Sequence, residues 1–188
     1  MNNPETVRLA AYQQMVDAYR NESDRAAAIL ASSFVDNTLG RVLLAHMVDH
    51  PKVSDLFEGD RPLATFSSRI TIAFGLGLLP PDRYSDLDLV RKIRNHFAHS
   101  EEAASFSASP VRDWCAGLWV GKWQTDEEFI ARGITWDNRG QFLLTVGITT
   151  LYLDHLLVGF RNGTFKRCAV PGLAGDGDVP AHGITFAQ

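Results

Sequence analysis

"FLLTVGITTLYLDHLL", residues 142–157, is the stretch on which the fold turns. Wound as a helix, it carries apolar side chains on nearly every side. A helix that is apolar all round has to be enclosed by others. The expectation is therefore a central helix from about Arg139 to Phe160, wrapped by amphipathic helices in an all-α bundle.

The flanking sequence supplies those helices. Pro4, Glu5 and Thr6 open a first one in the manner favoured at a first turn, and Asn21 closes it. Ser23 and Asp24 are candidate caps for a long second helix, roughly 23–49, stopped by Pro51. Its apolar stripe reads Ala27, Leu30, Phe34, Thr38, Leu39, Val42 and then Ala45 or His46. "PKVSDLFEGDRP" reads as a loop, with Leu56 and Phe57 folded back onto the core. A third helix is expected over 63–79, opened by Pro62 and ended by Pro80 and Pro81, with Gly75 and Gly77 allowing close helix packing. Ser85 would cap a fourth helix that buries Leu87, Val90, Ile93 and Phe97. Ser109 and Pro110 begin a further helix carrying Val111, Trp114, Cys115 and Leu118. About five to seven helices result, in one helical domain over 1–165 followed by a loosely ordered Gly/Pro-rich tail over 166–188.

Composition narrows the function classes. The chain has 188 residues, 45% of them hydrophobic, enough for one domain with a substantial core. A net charge of -4 argues against broad duplex-DNA binding, which depends on cations neutralising phosphates. No helix-turn-helix with a basic recognition helix is apparent either, so autonomous DNA binding is not expected. Cys115 and Cys168 form no CxxC pair and read as buried or idle thiols in a reducing compartment. The N-terminus lacks a basic start followed by an apolar run, and runs such as "ITIAFGLGLL" at 70–79 are too short to span a bilayer. A cytoplasmic protein without membrane association is expected. The glycines of "GLAGDGD" lack the lysine and following helix of a phosphate loop, and no cofactor is expected.

One constellation carries specific chemistry. Arg94, Asn95 and His99 form an R-N-x-x-x-H pattern in "VRKIRNHFAHSEE", residues 90–102. A guanidinium can hold a phosphate in bidentate fashion, and an imidazole with a pKa near ~6.5 can accept a ribose 2'-hydroxyl proton. The same residues admit a structural reading. Arg94 could pair with Asp24 or Asp36, and His99 would suit the negative end of its helix. Geometry constrains the chemical option, because at ~100° per residue Arg94 and His99 diverge by about 140°. A shared site needs the helix to end near Ala98 or a second subunit to complete it. His96 and His99 lack the further ligands of a zinc site, and Asp88 with Lys92 suits an ordinary ion pair along the helix surface.

Three stretches resemble the mannitol operon repressor family: "ESDRAAAILASSFVDNTL" at 22–39, "LFEGDRPLATFSSRITIAFGLGLL" at 56–79 and "IRNHFAHS" at 93–100. The resemblance covers about the first 110 residues. It implies an all-α fold and a repressor role in transcription regulation, exerted through a protein partner or RNA; a homodimer is expected. "RNHFAH" is also similar to the motif of the HEPN superfamily, whose members include metal-independent RNA endonucleases. That similarity implies phosphate binding by Arg94, a polar neighbour in Asn95, and general acid-base work by His99.

Overall fold

The computed structural model describes residues 15, 17–19, 21–100, 104–122 and 136–168, and among these there are helices and no strand. Helix α1 spans Asp24–His46. Ser23 caps it, its Oγ accepting the Ala26 N–H at 3.2 Å. The chain then turns extended at Met47, so α1 stops three residues short of the expected end, before Pro51 has any influence. The segment read as a loop contains a short helix, α2 (Pro51–Ser54), and a 3-10 turn over Asp55–Phe57. Leu56 and Phe57 are half-buried, and Phe57 packs on the core as expected.

Helix α3 is shorter than its apolar run suggests, Phe66–Gly75. Thr65, not Pro62, caps it, with Oγ1 accepting the Ser68 N–H at 3.1 Å. Its C-terminus is set by Gly77, whose φ of 71° places it in the left-handed region. There the Gly77 N–H donates to the Phe74 carbonyl and the Leu78 N–H to the Ala73 carbonyl, both at 2.9 Å. This pair of bonds closes the helix five residues before Pro80. The glycines therefore terminate the helix and do not serve close packing; a Cβ at either would meet nothing within 4 Å.

Helix α4 spans Pro81–His99. Proline at the first position starts it, and Ser85 lies inside it with its hydroxyl donating back to the Pro81 carbonyl at 2.9 Å. The expected Ser85 cap is corrected accordingly. Leu87, Val90, Ile93 and Phe97 are all fully buried, as the stripe requires. Helix α5 (Val111–Gly117) and a 3-10 turn over Val120–Lys122 follow. Helix α6 (Asn138–Arg161) is the centre, and its buried face includes every residue from Phe142 to Thr150.

Helix α6 packs chiefly against α1 and also touches α4 and α5, while α3 closes over α1 and α4. The rings of Phe97, Phe106 and Phe142 form a chain through the core, with centroids 4.9 and 5.2 Å apart. On α1 the expected Ala27, Thr38, Leu39 and Val42 are buried, together with Ala28, Ala31, Ser32 and Val35, whereas Leu30 and Phe34, also expected in that stripe, are each 46% exposed. Small residues let two helix backbones approach closely. Helices α1 and α6 are long and apolar enough to cross a bilayer by length and composition, which individual apolar runs had not suggested, but 50% and 67% of those windows are buried inside this fold. Of the expected first helix, Met15 and residues 17–19 are helical and the rest lies outside the described residues, as does the tail beyond 168.

Candidate functional site

Helix α4 continues unbroken through His99, where the Ser100 N–H closes it on the His96 carbonyl at 2.9 Å. Arg94 is half-buried, and its Nη1 donates to Asn95 Oδ1 at 3.0 Å. His99 is exposed in the last turn. In a regular helix the two point about 140° apart. Arg94 and Asn95 are thus brought together, and His99 is not placed with Arg94 within one chain.

The neighbours of Arg94 explain its position. Asp36 on α1 forms an ion pair with Arg69 at 2.9 Å and also feels the positive charge of Arg94. Burial nevertheless holds the Asp36 carboxyl above its ordinary range, outweighing both guanidinium groups. Asp24, the other suggested partner, is engaged by Arg139 at 3.0 Å and by the Phe106 N–H at 3.2 Å. Asp88 binds both Arg91, at 2.6 Å, and Lys92, at 2.9 Å, so two of the cations in the motif belong to the helix surface. The hydrogen bonds from Arg91 and Lys92 bring the Asp88 carboxyl below its usual range in spite of its partial burial. His96 packs edge-on against Trp114, with ring centroids 5.8 Å apart.

Among the described residues no three of His, Cys, Asp and Glu are grouped to hold a metal ion. Cys115 is buried, and desolvation together with the charge of Asp137 pushes its thiol up to about 12, so it stays protonated. Cys168 is exposed, with Sγ 3.4 Å from Nε2 of His46.

A second surface escaped the sequence reading. Ile72, Phe74 and Leu76, at the end of α3, are 40%, 43% and 42% exposed. Of these, Ile72 lines an open groove of about 510 Å³ whose walls also include Met47, Leu56 and Leu63, while Phe74 packs on Tyr84 with ring centroids 4.6 Å apart. Asp55, Glu58 and Asp60 are exposed in the segment that forms one wall. Contiguous exposed apolar surface with a polar border marks contact sites. The signal was present in the sequence, because Ile72 and Leu76 are four apart and lie off the buried stripe of Phe66, Ile70 and Ala73.

These features define an all-α helical domain. More particularly, the chain belongs to the mannitol repressor family, whose sequence profile matches residues 26–128. A chain of the X-ray structure of the MtlR-HPr complex from Escherichia coli shares its fold, with a TM-score of 0.58 and 19% identity over 77% of this chain and 98% of that one. Comparison with curated proteins gave no match.

Proposed function

We propose that the protein is a mannitol-repressor-type regulator that works by docking a protein partner, an HPr-type protein first of all, and does not read DNA itself. Membership of the family carries the reading, and it is supported by a chain of the same fold found in a complex with HPr. The groove beside α3 is the docking surface in this account. Its apolar walls and the exposed Asp55, Glu58 and Asp60 suit a partner patch that is apolar at its centre and bordered by Lys or Arg. The net charge of -4 supports an indirect mechanism. The working unit is a homodimer in the cytoplasm, and sedimentation of the purified chain checks the stoichiometry.

Titration calorimetry with HPr from the same source tests the partner. Saturable binding is expected, weakened at least about tenfold by Ile72→Asp or Leu56→Asp, since each would set a charge in a desolvated apolar contact. Absence of binding at about 100 µM would remove HPr as the partner. Sequence-specific operator binding by the isolated chain would overturn the indirect mechanism.

A further inference from the structure

A cavity of about 340 Å³ lies where the C-terminal ends of α1 and α6 meet, and Arg41, Arg161 and Arg167 all line it. Most other described arginines are committed: Arg69, Arg83, Arg91, Arg112 and Arg139 each face an aspartate within 4 Å. Arg41 and Arg161 have no ion pair or side-chain hydrogen bond among the described residues, and both are exposed. Asp49 is the single carboxylate in the lining, which leaves an excess of two positive charges in a chain of net charge -4.

Helix ends offer a simpler account, since arginine near a C-terminus can satisfy free carbonyls. Several of those carbonyls are already served by backbone N–H groups. The Leu43 carbonyl accepts from Met47 N–H at 3.0 Å and the His46 carbonyl from Cys168 N–H at 2.7 Å. On α6 the Val158 carbonyl accepts from Asn162 N–H at 2.9 Å and the Gly159 carbonyl from Thr164 N–H at 2.8 Å. Of the three arginines only Arg167 serves a carbonyl, that of Met47, at 3.3 Å. Arg41 and Arg161 are not needed for capping.

The remaining walls complete a two-part site. Leu44, Leu157 and Phe160 give it an apolar side. His50 adds a donor: its Nδ1 accepts the Lys52 N–H at 3.2 Å, so the neutral ring carries its proton on Nε2. We propose that this cavity binds a small phosphomonoester, the dianionic head held by Arg41, Arg161 and Arg167 and the body resting on the apolar wall. Guanidinium forks match phosphate oxygens, and a dianion matches the local excess of two charges. The volume suits a small metabolite.

Titration calorimetry of the full chain with phenyl phosphate, inorganic phosphate and phenol tests it. Phenyl phosphate is expected to bind at least about tenfold more tightly than inorganic phosphate, and phenol not to saturate. Arg41→Gln and Arg161→Gln should each weaken phenyl phosphate about tenfold or more, with the ligand-free thermal midpoint unchanged, and Arg61→Gln, outside the cavity, should leave it unaltered. No saturable binding of phenyl phosphate up to about 10 mM, equal affinity for both phosphates, or binding indifferent to both cavity substitutions would overturn the proposal.

Discussion

Gly159→Ala gives the sharpest test of how the end of α6 is built. A Cβ at this position would lie 2.0 Å from Cδ2 and 2.1 Å from Cε2 of Phe165. The Phe165 backbone is tied down, its N–H donating to the Gly159 carbonyl at 3.1 Å, so the ring itself has to leave. That ring is half-buried and packs at 5.7 Å from both His155 and Phe160. Losing about half the burial of a phenylalanine forfeits about 1 kcal/mol, and an off-rotamer ring adds roughly 0.5–1.5 kcal/mol. Alanine returns up to ~1 kcal/mol through helix propensity. The net loss is about 1 kcal/mol, which in a chain of this size lowers Tm by roughly 2–4 °C. The sign should reverse in a Phe165→Ala background, where the obstruction is gone and only the propensity gain remains, up to ~1 kcal/mol of stabilisation. Urea denaturation of the four proteins reads the cycle. An effect of Gly159→Ala that is the same in both backgrounds would refute the close approach of ring and helix.

Asp36 gives a pH signature. Burial raises its carboxyl pKa in the folded state, so its contribution to stability is fully present below the unfolded value of about 3.9 and is lost as pH rises through the raised folded value. Asp36→Asn should flatten the fall in stability just above about pH 4, measured by urea denaturation at stepped pH; an unchanged slope would sink the argument. The RNA-cleaving alternative for Arg94, Asn95 and His99 requires two copies, because one helix points Arg94 and His99 about 140° apart. Purified protein with chelator is expected to leave varied RNAs intact. Cleavage abolished by both Arg94→Ala and His99→Ala in folded protein would place that site across a dimer.

The legible parts of the fold were those where a single physical cause dominates. The central helix was readable to within a residue at each end from its apolar character alone, and the structure adds its cap, Asp137 Oδ1 accepting the Gly140 N–H at 2.7 Å. The α4 stripe was readable for the same reason. In the first half of α1 hydrophobicity and packing disagree: Leu30 and Phe34 are larger than Ala28 and Ala31, yet the two alanines are the ones buried. Side-chain size misleads where helices meet closely. At Ser85 two start signals competed, and Pro81 prevailed because its fixed φ suits the first turn and it has no N–H to leave unsatisfied. The candidate site was harder still. The R-N-x-x-x-H pattern is a statement about residue types, while its meaning depends on where a regular helix points them. The three arginines of the cavity are separated by up to 126 positions in sequence and leave no local pattern at all.

The span matched to the mannitol repressor family, 26–128, ends before α6, although no other helix packs as extensively on α1. Enclosure makes α6 tolerant of apolar substitution. A position enclosed on all sides demands an apolar side chain of suitable volume, and many sequences meet that demand with little loss. Positions at helix ends and contact surfaces are more specific. Thr65 must accept a particular N–H, Gly77 must hold a positive φ, and Asp36 must face Arg69. Those residues lie in the matched span. The likeness to the solved chain covers 77% of this protein, more than that span supplies, as expected when three-dimensional packing outlasts sequence identity. Within α6 the exception is its C-terminal turn, where Gly159 receives the Phe165 ring and Arg161 enters the cavity. If that turn has a role beyond packing, its sequence constraints should concentrate at Gly159 and Arg161, while Leu143, Leu144 and Leu153 accept other apolar residues. A library that randomises α6 and selects for folded protein would keep Gly159 and release Arg161, whereas selection for phosphomonoester binding would retain both.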